Sequence, residues 1–216
     1  MFIGHFAFGF AAKRATPRVP LVLLFVAAQL ADLLWPALVA LGIEQVTIEP
    51  GITKVTPLNF ISYPYSHSLL FLVIWGLALA WLYQQTTKHT GAFLVVSGLV
   101  VSHWVLDFVT HRPDMPIYPG STRYGLGLWN SFPGTLIVEL MIYAVGVWMY
   151  ARATRARDGV GRWSFVALVA FLLISYVGNL MSPPPPSVPA IYTLGLAGGA
   201  VLLVWAWWIE RHRVAS

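Results

Sequence analysis

The stretch Val101-Ser102-His103-Trp104-Val105-Leu106-Asp107-Phe108-Val109-Thr110-His111 closes an apolar run that starts at Gly91. The run is long enough to cross a bilayer as a helix, yet its last turns carry ionisable residues at intervals of four. At 3.6 residues per turn, His103, Asp107 and His111 fan over one face, each about 6 Å farther along the axis than the last. A neighbouring pair at this spacing can hold one metal ion, as two histidines four apart do in helical zinc motifs. The outer two stand about 12 Å apart along the axis, which argues against all three meeting a single ion. Ionisable groups inside a span are costly and usually mark a site.

The rest of the chain suits a membrane. Of its 216 residues, 58% are hydrophobic and 10% charged, with a mean hydropathy of +0.72; a soluble domain carries about 25% charged residues. The expected fold is an all-α polytopic membrane protein with about six transmembrane helices and a short N-terminal helix, half-inserted or re-entrant. It forms one membrane domain, 1–216, in which 1–150 carries the polar site and 163–209 the scaffold. Cysteine is absent, so a metal would have to use imidazole, carboxylate or water. The net charge of +5 lies between spans and reads as an orientation signal, not as a nucleic-acid surface. The first twelve residues lack the positive n-region and cleavage site of a secretory signal, and no internal repeat stands out.

Taken in order, Met1 to Ala12 is apolar and stops at Lys13-Arg14; it is too short for a full span of about 20 residues. His5 within it reads either as a site residue or as an interfacial neighbour of Phe2 and Phe6. Val19 to Gly42 is a full span holding Asp32, and Trp35-Pro36 predicts a kink there. An aspartate at that depth costs roughly 2.5–3.5 kcal/mol on insertion scales, so it is either a functional group or a structural partner for another helix. Ile43 to Tyr65 is a polar loop with Glu44, Glu49 and Lys54; segments 45–48 and 52–55 predict a small hairpin around Glu49-Pro50-Gly51. Ser66-His67-Ser68 opens the second span, which runs to Gln85, and Gly91 to His111 is the third. A loop from Arg112 to Pro133, rich in Pro, Gly and aromatics, is long enough to act as a lid. The fourth span, Gly134 to Tyr150, carries Glu139. The fifth, Trp163 to Met181, has no charge, and the sixth, Val188 to Ile209, has Gly195 and Gly199 at a spacing that lets helices approach closely. That last helix is the expected surface for a homo-oligomer.

Lys13, Arg14, Arg18, Lys88, the four arginines 152, 155, 157 and 162, and Arg211 with Arg213 all fall in alternate loops. The positive-inside rule places these, and the C-terminus, on the cytoplasmic side of the membrane. On that orientation His67, His103, Asp107, His111 and Glu139 all lie in the outer half of the bilayer, and Asp32 near its middle. This convergence on one leaflet is the strongest functional signal in the chain. Imidazole with carboxylate suits zinc, or else manganese or iron. The candidate ligands are Asp32, His67, His103 and Asp107, with His5 as a further member. Glu139 or His111 would serve as general base or acid, and Arg112 and Arg123 would hold an anionic group.

At these positions the chain resembles the membrane-bound metal-dependent hydrolases of the LexA-regulated inner-membrane family. The features are an early His5, Asp32 in the first long span, Ser66-His67-Ser68 opening the next, and His103-x-x-x-Asp107 farther on, over roughly residues 1 to 115. The resemblance implies a multi-span helical protein with a metal site. Two departures are visible. The family's His-Arg-Gly-x-Thr-His-Ser is here Ser62-Tyr63-Pro64-Tyr65-Ser66-His67-Ser68, and its Asp-x-Asp is Asp32-Leu33-Leu34; both remove potential ligands. The function expected is an outward-facing, metal-dependent hydrolase acting on a lipid or other amphiphile. The alternatives are an ion- or proton-coupled transporter using the same cluster, a haem protein ligated by His67 and His103, and a non-enzymatic membrane subunit.

Overall fold

The computed structural model describes residues 1–216. In chain order its helices and strands are α1 (Ile3–Ala15), α2 (Leu21–Ala28), α3 (Leu30–Ala40), β1 (Gln45–Ile48), β2 (Leu58–Ser62), α4 (Pro64–His67), α5 (Leu69–Thr87), α6 (Phe93–Thr110), β3 (Met115–Pro116), β4 (Arg123–Tyr124), α7 (Phe132–Ala153), β5 (Thr154–Ala156), α8 (Gly159–Met181), α9 (Val188–His212) and β6 (Arg213–Ala215). The protein is an all-α polytopic membrane protein; its strands form only three two-stranded ribbons. Five helices are long and apolar enough to cross a membrane alone, and α2 with α3 meet the same length and apolarity only together, as a bent pair.

Helix ends follow local chemistry. The side chains of Ser68, Ser131, Asp158 and Ser187 accept hydrogen bonds from the backbone N–H groups three residues on, at the starts of α5, α7, α8 and α9. Each satisfies a donor that the helix itself leaves free. Outward faces stay apolar, with Leu70, Val73, Ile74, Leu77 and Trp81 exposed on α5, as lipid requires.

The N-terminal helix does not lie at a surface. At 13 residues it is about 20 Å long, short of the ~30 Å hydrocarbon core, and its neighbours wrap it. Ile3, Phe6, Ala7 and Phe10 belong to a buried core shared with Tyr143 and Tyr150 of α7, Phe165, Leu168 and Leu172 of α8, and Leu202, Ala206 and Ile209 of α9. The approach of α7 is set by Gly146, where a Cβ would stand 2.4 Å from the Ala7 carbonyl oxygen. On the other side of α2, a second core joins Leu24, Ala27 and Ala28 to Leu72 and Ala80 of α5 and Val96, Leu99 and Val100 of α6. So α1 and α2 form a central pair, with the α5–α6 hairpin on one flank and α7, α8 and α9 on the other.

Two expectations need correction. The first long span bends by 59° between α2 and α3, at Gln29 (φ −109, ψ 9), whereas Pro36 is carried inside α3. The predicted hairpin uses β1 but not segment 52–55: β1 pairs with β2, with Val46 opposite Phe60 and Ile48 opposite Leu58. Thr53 closes its own turn instead, its hydroxyl donating to the Thr56 carbonyl at 2.9 Å and accepting from the Thr56 N–H at 2.9 Å. On α9, Gly195 and Gly199 lie against α3. A Cβ on Gly199 would meet Leu33 at 2.8 Å and one on Gly195 would meet Pro36 at 3.3 Å, so these glycines seat α3.

The basic end is tied by polar contacts. Lys13 Nζ donates to Glu210 Oε1 at 2.6 Å and to the Val19 carbonyl at 2.8 Å, and Glu210 Oε2 accepts from the Leu21 N–H at 3.0 Å. Strands β5 and β6 pair across the start of α8.

The packing of α1 on α7 is testable with one substitution in two places. Gly178→Ala, with nothing near its Cβ, is expected to be neutral or to gain up to about 1 kcal/mol from helix propensity. Gly146→Ala is expected to lose about 1–3 kcal/mol through overpacking. Thermal unfolding in detergent reads both; equal midpoints would refute the close approach.

Candidate metal centre

Asp107, on the inward face near the end of α6, is 2% exposed and collects imidazoles from three helices. Its Oδ1 lies 3.0 Å from His5 Nε2 of α1 and also pairs with the Met1 nitrogen. Its Oδ2 faces the other way, 3.1 Å from His103 Nε2, 3.8 Å from His67 Nε2 at the end of α4, and 3.9 Å from His111 Nε2. Asp32 of α3 completes the group, its Oδ1 3.5 Å from His67 Nε2 and 3.8 Å from His103 Nε2. His5 and His103 stack face to face, ring centres 3.6 Å apart.

The bend in the first long span serves this cluster twice. It turns Asp32 inward, and it ends α2 so that the Ala28 carbonyl accepts from His103 Nδ1–H at 2.9 Å. With the proton held on Nδ1, Nε2 of His103 carries a lone pair. That buried atom has no hydrogen-bond partner. A histidine oriented through one ring nitrogen and bare at the other is how metal-ligating imidazoles are usually supported.

The spacing of these atoms fits a small cation. Bonds of about 2.0–2.1 Å in tetrahedral geometry set ligand atoms about 3.3–3.4 Å apart. Asp32 Oδ1 stands 3.5 and 3.8 Å from His67 Nε2 and His103 Nε2, and Asp107 Oδ2 stands 3.8 and 3.1 Å from the same two nitrogens; Asp32, His67 and His103 form one close triplet. His5, His103 and Asp107 form a second close triplet, so Asp107 presents one oxygen to each side.

Around this centre stand residues that sequence reasoning passed over. Ser66 Oγ donates to Glu44 Oε2 at 2.6 Å and lies 2.7 Å from His67 Nδ1. Asp114 Oδ1 lies 2.9 Å from His111 Nδ1 and accepts from the Tyr63 hydroxyl at 2.9 Å. Burial pushes the His111 imidazole down, against the pull of Asp107 and Asp114, and pushes the Tyr63 phenol well up, so it stays a donor. The Trp129 ring sits 4.1 Å from that of His111. Asp114 and Trp129 belong to the loop expected to be a lid, but no periodic pattern singles them out. Glu44 stood in a loop of mixed charge and gave no signal at all.

A cavity of about 170 Å³ opens on the centre, more than ten times the roughly 10–15 Å³ one water needs. Asp32, His67, Asp107, His111 and Glu139 line it, together with Trp129 and with Val55, Leu58 and Phe60 of the β1–β2 hairpin. Trp35 of α3 and Tyr176, Asn179 and Leu180 of α8 form the remaining wall, so a helix expected to be scaffold borders the site.

Not every candidate reaches the cavity in the expected role. Glu139 accepts from the backbone N–H groups of Phe2 at 2.9 Å and Gly4 at 3.3 Å, capping the start of α1. Arg112 donates to Asp114 at 3.2 Å and to Asn59; Arg123 donates to the Ile61 carbonyl at 2.7 Å. Both arginines tie β2 to the long loop and lie outside the cavity lining.

Fold and site together define a polytopic membrane protein with a buried histidine–carboxylate centre at one end of its bundle. The chain belongs to the YdjM inner membrane protein family, which it matches over residues 1–181. It is therefore an integral inner membrane protein, and every residue of the centre lies in the matched part. No curated protein and no solved structure matches it.

The two roles open to Glu139 separate on stability. Glu139→Ala leaves two buried donors unpaired and is expected to cost about 1–3 kcal/mol, while Glu139→Gln keeps an acceptor and loses less. A residue acting only on substrate would leave the detergent melting curves of both variants at the wild-type position.

Proposed function

We propose that the centre binds one divalent cation, zinc before manganese or iron, through Asp32, His67, His103 and Asp107, and that the protein is a metal-dependent hydrolase of an amphiphilic substrate. The observation that carries this reading is the close approach of both carboxylates to the same two imidazole nitrogens, His67 Nε2 and His103 Nε2, with the latter orphaned. Imidazole with carboxylate and no thiolate suits these metals. When bound, the cation supplies a Lewis acid and a water of lowered pKa.

The chain's own groups take the remaining roles. Asp32, with 44% of its side chain exposed, is the ligand on the open side of the cavity. His111, held through Nδ1 by Asp114, directs Nε2 toward the centre and takes the proton of the attacking water. Trp129 and Phe60 flank His111 at 4.1 and 5.0 Å between ring centres and keep bulk water from it. Trp35 and Tyr176 line the cavity, and their Nε1 and hydroxyl have no protein partners; in this reading they are donors for an acceptor oxygen on a head group. Leu58 and Leu180 leave an apolar rim, which suits a substrate held partly in lipid. His5 braces Asp107 from behind and stands ready as a ligand on the second side of that carboxylate.

A proton or ion relay fits less well. Along α1, from His5 to Lys13, only apolar residues follow, and Phe6, Phe10, Phe25 and Phe165 pack there edge to face.

Elemental analysis of protein purified in metal-replete buffer is expected to find about one equivalent of cation, lost in His103→Ala and Asp107→Asn. Hydrolysis of an ester- or phosphoester-bearing amphiphile in mixed micelles should stop with a chelator and return with zinc. Wild-type protein with well under one equivalent would end the reading.

A further inference from the structure

We propose that Glu44 is a positioning residue for His67, acting through Ser66 to hold the proton on Nδ1 and keep Nε2 free for a cation. The consequence for affinity rests on the metal reading above; the proton position does not.

The argument is one of donors and acceptors. Glu44 is 1% exposed. Gly42, at φ +71, ends α3 in the left-handed region, and the Ile43 and Glu44 N–H groups both donate to the Leu38 carbonyl, at 2.9 and 3.2 Å. That turn sets Glu44 over the start of α4. Its Oε1 accepts from the backbone N–H groups of Tyr65 at 2.8 Å and Ser66 at 2.9 Å, and its Oε2 from the Ser66 hydroxyl at 2.6 Å. A hydroxyl has one proton to donate, and Ser66 gives it to Glu44. At 2.7 Å from His67 Nδ1, Ser66 Oγ can then only accept. The proton between them therefore belongs to Nδ1, and a neutral imidazole so held is bare at Nε2. Nε2 faces Asp32 and Asp107 at 3.5 and 3.8 Å, long for an N–H···O bond. Carboxylate, hydroxyl and imidazole thus form a chain with one polarity, in place of the direct carboxylate–histidine contact that often supports a ligand.

The isosteric Glu44→Gln reverses this chain without removing it. Its amide oxygen keeps the two backbone N–H groups, its NH₂ donates to Ser66 Oγ, and Ser66 turns its proton to Nδ1. His67 is then protonated on Nε2, the wrong atom for a ligand. Nitrogen-15 spectra of histidine-labelled, metal-free protein in detergent are expected to show the Nδ1–H form of His67 in the wild type and the Nε2–H form in E44Q. Zinc and manganese affinity should fall about 10–100-fold in E44Q, the usual cost of losing such support. Ser66→Ala removes the forcing proton, so E44Q with S66A should bind more tightly than E44Q alone.

An unchanged His67 signature in E44Q, or a double variant no tighter than E44Q, overturns the proposal. S66A keeps both backbone bonds to Glu44 and serves if E44Q does not fold: it should populate both tautomers, and a pure Nδ1–H pattern there also overturns it. A wild type that takes up no cation, with E44Q still inverting the tautomer, would sink the metal reading alone. Wild-type binding with an unaltered tautomer in E44Q would sink this inference alone.

Discussion

A buried carboxylate needs partners, and in this protein the architecture follows from supplying them to Asp107. An isolated anion inside an apolar bundle is too costly to keep, so such groups are paired, protonated or bound to metal. The partners of Asp107 come from far apart in the chain: His5 from α1, His67 from α4, and His103 and His111 from its own helix end. Bringing His5 there requires α1 to run inside the bundle instead of along its surface. Gly146 opens the space for that helix, and the Glu139 carboxylate accepts from its first free N–H groups. A thirteen-residue segment too short to span becomes the axis about which α2, α7, α8 and α9 are arranged.

The second constraint is backbone satisfaction. Irregular backbone at membrane depth survives only where it lines a cavity or is buried in protein. The bend at Gln29 meets that condition, because a carbonyl at the end of α2 finds the His103 imidazole. A break that would be a defect in a lipid-facing helix here fixes a tautomer and turns Asp32 toward the centre. The short α4 behaves similarly. Ser66 bonds to Glu44 while Ser68 caps α5, so each hydroxyl flanking His67 has a separate partner. Polar residues of one tripeptide thereby stitch loop, His67 and span together.

Two loops finish the site. The β1–β2 hairpin brings Phe60 over His111, and the long loop brings Trp129 to the same ring. Arg112 and Arg123 spend their donors joining these two loops, which keeps the aromatic cover in register with the centre beneath it. At the opposite end Lys13, Glu210 and the β5–β6 ribbon close the bundle, so polar contacts bracket an apolar middle.

Hydropathy and spacing by themselves determined that this is a helical membrane protein, that six apolar spans and a short first helix exist, and that the ionisable residues gather toward one end. Those are one-dimensional properties: burial in lipid is read residue by residue, and a four-residue interval on a helix translates directly into a shared face. The same logic singled out His103 and Asp107. Only the tertiary structure decided the rest. Glu139 turned out to cap α1, because its neighbour was set by helix packing and not by sequence distance. Gln29 took the bend that Pro36 signalled, and Pro36 itself packs inside α3 against Gly195 of α9. Glu44, Asp114 and Tyr63 reached the centre through loops whose course follows from turns and cross-chain hydrogen bonds. No periodicity records such contacts, since each depends on where a distant part of the chain comes to rest.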